Sequence, residues 1–140
     1  MRMTMDRKLA HVGIAVKSLA ASVPLFRTLF PQDRVDTEEV DDQGVRVAFL
    51  RAGQCTIELT EATRPESPIA KFIEKRGEGV HHLSFEVADL QAELDRLKTA
   101  GMRLIDERPR RGAGGCLIAF LHPSSTNGVL IELSQKPPEA

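Results

Sequence analysis

A chain of 140 residues, 41% of them hydrophobic and 28% charged, is the size of one folded domain. It can bury roughly two-thirds of its unfolded surface, which excludes both disorder and a small disulfide-held scaffold. Nineteen basic against twenty acidic residues leave a net charge of −1, so nothing draws the chain generally to nucleic acid or anionic lipid, and partners must be sought at local sites.

No apolar run approaches the roughly 18 to 20 residues of a bilayer span, and the start MRMTMDRKLAH has no signal-peptide core. Cys55 and Cys116 read as free thiols of a reducing compartment. A cytoplasmic protein of one domain, residues 1–140, with no membrane partner is expected.

In chain order, His11 to Val16 is short and apolar, as a strand is. Ser18 then caps a helix with Leu19, Val23, Phe26 and Phe30 on one stripe, in which Pro24 predicts a kink or a delayed start. Strands follow at about Arg34 to Glu39, Val45 to Arg51 and Thr56 to Thr60, with Gly44 and Gly53 in the turns. Residues 61–79 form a linker with a short helix, Pro68 to Arg76, where proline suits the first turn; its run Glu74-Lys75-Arg76 reads as a solvated face. Another strand, His82 to Val87, leads to a helix capped by Asp89, striped by Leu90, Leu94 and Leu97 and ended at Gly101. Strands at Arg103 to Asp106, Leu117 to Leu121 and Val129 to Ser134 complete the chain, Asn127-Gly128 turning into the last.

The second series repeats the first. His11, Val16 and Leu19 fall on His82, Val87 and Leu90, and Ala48-Phe49-Leu50 on Ala119-Phe120-Leu121, all at an offset of 71. Ile57-Glu58-Leu59 falls on Ile131-Glu132-Leu133 at 74, the extra residues fitting a longer hairpin. Two βαβββ units, about 9–60 and 80–135, are expected to pack as pseudo-twofold mates in an α+β fold.

The repeat's clearest matches are polar residues inside apolar strands. Glu58 and Glu132 each stand between apolar neighbours and so face the opposite side of the sheet from them. A carboxylate facing a sheet interior is costly unless it is paired or bound to metal. His11, Glu58, His82 and Glu132 converging on one centre make a nitrogen and oxygen donor set for a divalent first-row ion, with open positions for substrate. The absence of thiolates argues against a closed structural zinc site. His81 points the other way along its strand and reads as structural; His122, in LHPSS, reads as a hairpin residue with some reach toward a ligand.

Paired βαβββ units with His and Glu in these slots resemble the vicinal oxygen chelate superfamily, the glyoxalase/bleomycin resistance/dioxygenase group. The strings HVGIAVKSL, RPESPIAKFIEKRGEGVHHLSFEV, GAGG and IAFLHPSSTNGVLIEL resemble the methylmalonyl-CoA epimerases within it, over about Leu9 to Gln135. The resemblance implies a glyoxalase-like fold, His11, Glu58, His82 and Glu132 as ligands to one divalent metal per chain (Co, Mn, Zn or Ni), and a homodimer. It also implies 1,1-proton transfer between the two epimers of methylmalonyl-CoA, a reaction of propionate metabolism, with Glu132 as one acid/base.

Some epimerases carry a glutamate where this chain has Val47 and a glutamine where it has Glu58. The expectation is therefore that Glu58 and Glu132 flank the substrate and share the acid/base work, each loosening its metal bond in turn. Arg110 and Arg111, before the flexible Gly114-Gly115 stretch, are candidates for the coenzyme A phosphates, and His122 for a further substrate contact. The alternatives are a glyoxalase I type lyase acting on a glutathione hemithioacetal, or a metal-free small-molecule binder of the same fold.

Overall fold

The structure, a computed structural model, describes residues 6–138, so the first five residues of the N-terminal stretch MRMTMDRKLAH lie outside the described residues. Eight strands, β1 (Lys8–Ala15), β2 (Asp36–Val40), β3 (Val45–Ala52), β4 (Cys55–Ala62), β5 (Gly79–Glu86), β6 (Arg110–Arg111), β7 (Leu117–Leu121) and β8 (Ile131–Gln135), form one curled mixed sheet. Its order is β2-β3-β4-β1-β5-β8-β7-β6. Helices α1 (Leu19–Leu29), α2 (Pro68–Arg76) and α3 (Leu90–Thr99) pack on it.

The sheet order reads the same from either end: β1 pairs parallel with β4, β5 pairs parallel with β8, and β1 meets β5 antiparallel at the centre. The equivalence extends to single hydrogen bonds. Val16 N–H donates to the Thr60 carbonyl at 2.9 Å and Val87 N–H to that of Ser134 at 2.8 Å. Leu19 N–H donates to Glu61 Oε1 and Leu90 N–H to Gln135 Oε1, so each outer parallel strand supplies an acceptor for the first amide of the helix of its own half. Ser18 and Asp89 cap the same two helices, accepting from Ala21 and Ala92.

The apolar residues divide accordingly. Val16, Leu19, Ala48, Leu50 and Leu59 pack under α1, and Val87, Leu90, Leu94, Ala119, Leu121 and Leu133 under α3. Ile69 of α2 fills a third cluster with Ala15, Val40, Val45 and Val47. Ser67, 1% exposed, anchors α2: its Oγ accepts from Ile69 N–H and donates to the Gln43 carbonyl.

Two local expectations are corrected. The delayed start at Pro24 does not occur; α1 begins directly after Ser18 because Ser18 and Glu61 both hold its first turn, and the helix continues past the proline. The strand expected at Arg103 to Asp106 is reduced to a single bridge between Leu104 and Leu121. There, Ile105 and Asp106 both donate to the Phe120 carbonyl, while the Asp106 carboxylate accepts from Phe120 N–H and takes the place a strand carbonyl would hold. After Pro109, which has no N–H, pairing resumes as β6. Among the described residues no helix is long and apolar enough to cross a membrane. Cys55 and Cys116 are free thiols.

Candidate metal centre

The central β1–β5 pair carries two register shifts. One skips Ala10, between the Leu9 and His11 pairings, and the other skips His81, between the Gly13 and Ile14 pairings. Ala10 and His81 are equivalent in the repeat, so a bulge precedes each of His11 and His82 and re-aims its side chain. His11 then lies opposite Ser84, and His82 opposite Gly13. A Cβ on Gly13 would come within 2.1 Å of His82 Cε1, so glycine leaves the space that the His82 ring occupies.

His11 from β1, His82 from β5 and Glu132 from β8 place ligand atoms within 4.8 Å of one another. The Nε2 atoms of His11 and His82 are 3.0 Å apart, with Glu132 oxygens 3.1 Å from the first and 3.7 Å from the second. Glu132 is 4% exposed, and its Oε2 has no hydrogen-bond partner even though Nε2 of His11 stands 3.1 Å away. Two imidazole nitrogens and an orphaned buried carboxylate oxygen aimed at one point are acceptors in want of a cation. This donor set fits a divalent first-row metal ion.

Glu58 does not belong to this group of three. Its carboxylate lies 3.1 Å from Nδ1 of His11, on the opposite edge of the ring from Glu132. Of the four residues expected as ligands, three thus lie together and the fourth, Glu58, stands behind His11. His81 departs from its expected place as well: its Nδ1 is 3.0 Å from Nδ1 of His82, and its ring meets Phe72 edge-on. Strict strand alternation would send it away, and the bulge at this residue removes that alternation. The sequence signal was the His-His pair itself. His82 therefore has an imidazole on the edge remote from the ligand group, in the position of an outer partner that fixes ring orientation.

Burial sets the protonation states. It pushes the Glu58 carboxyl up to about 7, against the pull of His11 and with the help of Glu132 and Glu38. Burial likewise lowers His82 to about 4, despite Glu132 and reinforced by His11 and His81, so its ring is neutral as a ligand must be. For His11, burial is outweighed by Glu132 and Glu58, which hold it above the ordinary value; for Glu132, burial is outweighed by His11 and His82, which hold it below.

A stability consequence follows for the metal-free protein. A carboxyl titrating near 7 when folded and near 4.5 when unfolded contributes its full stability below pH 4.5 and loses it as pH rises through 7. Metal-free Glu58→Gln is expected to gain on the wild type by about 3 kcal/mol between pH 4 and pH 8. Urea midpoints at the two pH values measure this, and parallel profiles for the two proteins would contradict it.

A cleft of about 320 Å³ covers the centre, lined by Glu58, Thr60 and Val47 on one side and Cys116 and Ile118 on the other. A second cavity, of about 350 Å³, reaches His82 past Phe120 and Arg110. Arg110 also lies over the Phe120 ring, with its Nε 3.3 Å from an Asp106 oxygen. Arg111, Gly114 and Gly115 line neither cavity; Gly114 N–H instead donates to Glu38 on β2, tying the glycine loop to the first half of the sheet. His122 Nδ1 accepts from Ser124 N–H, the hairpin role.

The chain is similar to known proteins. An uncharacterized protein of Bacillus subtilis is 40% identical over 128 residues, covering 91% of each chain. An ethylmalonyl-CoA/methylmalonyl-CoA epimerase of Cereibacter sphaeroides is 40% identical over 130 residues, 91% of this chain and 97% of that one. A solved methylmalonyl-CoA epimerase in complex with methylmalonyl-CoA and NH4+ is 38% identical and superposes with a TM-score of 0.88, covering 93% of this chain and 94% of that one. The family model of the Glyoxalase/Bleomycin resistance protein/Dioxygenase superfamily matches residues 10–120, and the chain, with its paired units, belongs to that superfamily.

Proposed function

We propose that this chain is a divalent-metal-dependent epimerase that interconverts (2R)- and (2S)-methylmalonyl-CoA by 1,1-proton transfer, as a cytoplasmic homodimer. The observation that carries the reading is the pair of carboxylates, Glu58 and Glu132, on opposite edges of the His11 ring within one cleft. Inversion at carbon needs a proton acceptor on one face and a donor on the other, and two carboxylates sharing one proton supply both. The epimerases among its relatives support the substrate class.

His11, His82 and Glu132 would hold the metal, one ion of Co, Mn, Zn or Ni per chain. Bound there, it supplies Lewis-acid stabilisation of the negative charge that develops on the thioester oxygen when the α-proton leaves. Ionised Glu132 takes the α-proton, the C–H electron pair passes into the enolate, and protonated Glu58 delivers a proton to the other face of the same carbon. The return reaction exchanges the two roles. A Glu58 carboxyl near 7 suits this, because a group titrating near the working pH serves in either direction. His81 holds His82 at the ring edge remote from the other two groups.

Proton NMR of methylmalonyl-CoA in D₂O tests the reading with metal-loaded and EDTA-treated protein. Metal-dependent deuterium uptake at the α-carbon with epimer interconversion is the expected result. A fully loaded protein that exchanges nothing would remove the epimerase reading, and turnover of methylglyoxal with glutathione by the same sample would put a glyoxalase I type lyase in its place.

A further inference from the structure

The cavity that reaches His82 past Phe120 does not end there. It shares Pro68, His81, His82 and Leu130 with a surface groove of about 530 Å³ that runs along α2. One wall of this groove is basic: Lys71, Lys75 and Arg76, at helical spacing, are all exposed, and among the described residues none of the three forms an ion pair. The opposite wall is apolar, with Val80 59% and Val129 43% exposed, and no carboxylate lines the groove. From Pro68 to Arg76 the helix rises about 12 Å. The path thus runs from His82 past apolar side chains to three cations that have no carboxylate partner among the described residues, Arg76 lying over the Phe72 ring at 5.9 Å.

We infer that this groove binds the coenzyme A arm of the thioester, with the pantetheine chain on Val80, Val129 and Leu130 and the phosphates of the nucleotide end on Lys71, Lys75 and Arg76. The inference rests on the epimerase reading of the centre and extends it to the other end of the substrate. It also moves the phosphates away from the arginines the sequence suggested: Arg110 is already committed to Asp106, and Arg111 does not line the cavities that reach His82. An amphipathic arm with a polyanionic end matches a groove that is apolar near the centre and cationic at its far end, where no acidic group opposes the phosphates. The run Glu74-Lys75-Arg76, which alone reads as a solvated face, gains a role only because the fold aligns it with Lys71 beside this groove.

The test compares methylmalonyl-CoA with methylmalonyl-pantetheine, which has no nucleotide, as substrates of the wild type and of K71Q/K75Q/R76Q. For the triple variant, KM for the CoA ester is expected to rise about tenfold or more with kcat within about twofold, while both constants for the pantetheine ester stay put. Added salt should raise the wild-type KM for the CoA ester toward that of the variant. K75Q alone, expected to give a smaller rise in the same direction, serves if the triple variant is poorly folded. Unchanged KM for both esters, or an equal rise for both, overturns the groove and leaves the epimerase reading intact. A wild type that turns over neither ester sinks both.

Discussion

Glu58→Gln is expected to lower kcat by about 10²- to 10⁴-fold, the range set by loss of a positioned acid/base, while metal content stays at one ion per chain. The second half of that statement comes from the geometry: the three groups that converge do so without Glu58, which stands on the far edge of the His11 ring. The first half comes from its environment, a carboxylate lining the cleft and titrating near 7. Glutamine keeps the shape and removes only the titration, so full turnover with metal bound would show that Glu58 moves no proton.

A second substitution sharpens the point. Val47 on β3 pairs with Thr60 on β4, two residues from Glu58, and all three line the cleft. A carboxylate at the Val47 position would be the diagonal neighbour of Glu58 on the next strand. Val47→Glu placed in the Glu58→Gln background should therefore recover about tenfold or more of the lost kcat.

Much of this centre could be read from the residues, for reasons that also explain what escaped. Repetition at a nearly constant offset exposed His11, His82, Glu58 and Glu132, because a polar residue in an apolar strand is conspicuous and its recurrence more so. The pairing of β1 with β4 and of β5 with β8 then follows from two similar units packing alike. Alternation along a strand gives a side chain's face, but it holds only where the ladder is regular. At His81 a bulge breaks the ladder, and the residue expected to point away touches His82 instead. Glu58 shows a different limit. Its face was legible, whereas its distance from the other three depends on sheet curvature, which no pattern of residue types encodes. The strand predicted at Arg103 to Asp106 failed for a local reason, since its own aspartate competes for the Phe120 amide.

Gly13→Ala is expected to weaken metal binding by about 10²-fold and to destabilise the protein by about 1 to 3 kcal/mol, the first from a displaced ligand ring and the second from overpacking. Backbone conformation is not the reason, since Gly13 is not among the glycines with positive φ. The reason is space: a Cβ there would meet Cε1, Nδ1 and Nε2 of His82 at 2.1, 2.5 and 2.7 Å. The ring has little room to yield, with His11 and His81 at its two edges and Phe120 meeting it edge-on at 5.5 Å. The equivalent position in the second unit supplies the control. Ser84 faces His11 across the same strand pair, and its hydroxyl, 3.3 Å from that of Ser134, shows that a side chain is accommodated there. Ser84→Ala keeps a Cβ there and should cost about 1 kcal/mol; it should weaken metal binding less than Gly13→Ala does, since it removes only a hydroxyl that helps hold Glu132 below its ordinary value. Calorimetric metal titration and urea unfolding of the two variants separate the cases. If Gly13→Ala bound metal as tightly as Ser84→Ala does, His82 could not be the ligand held against β1.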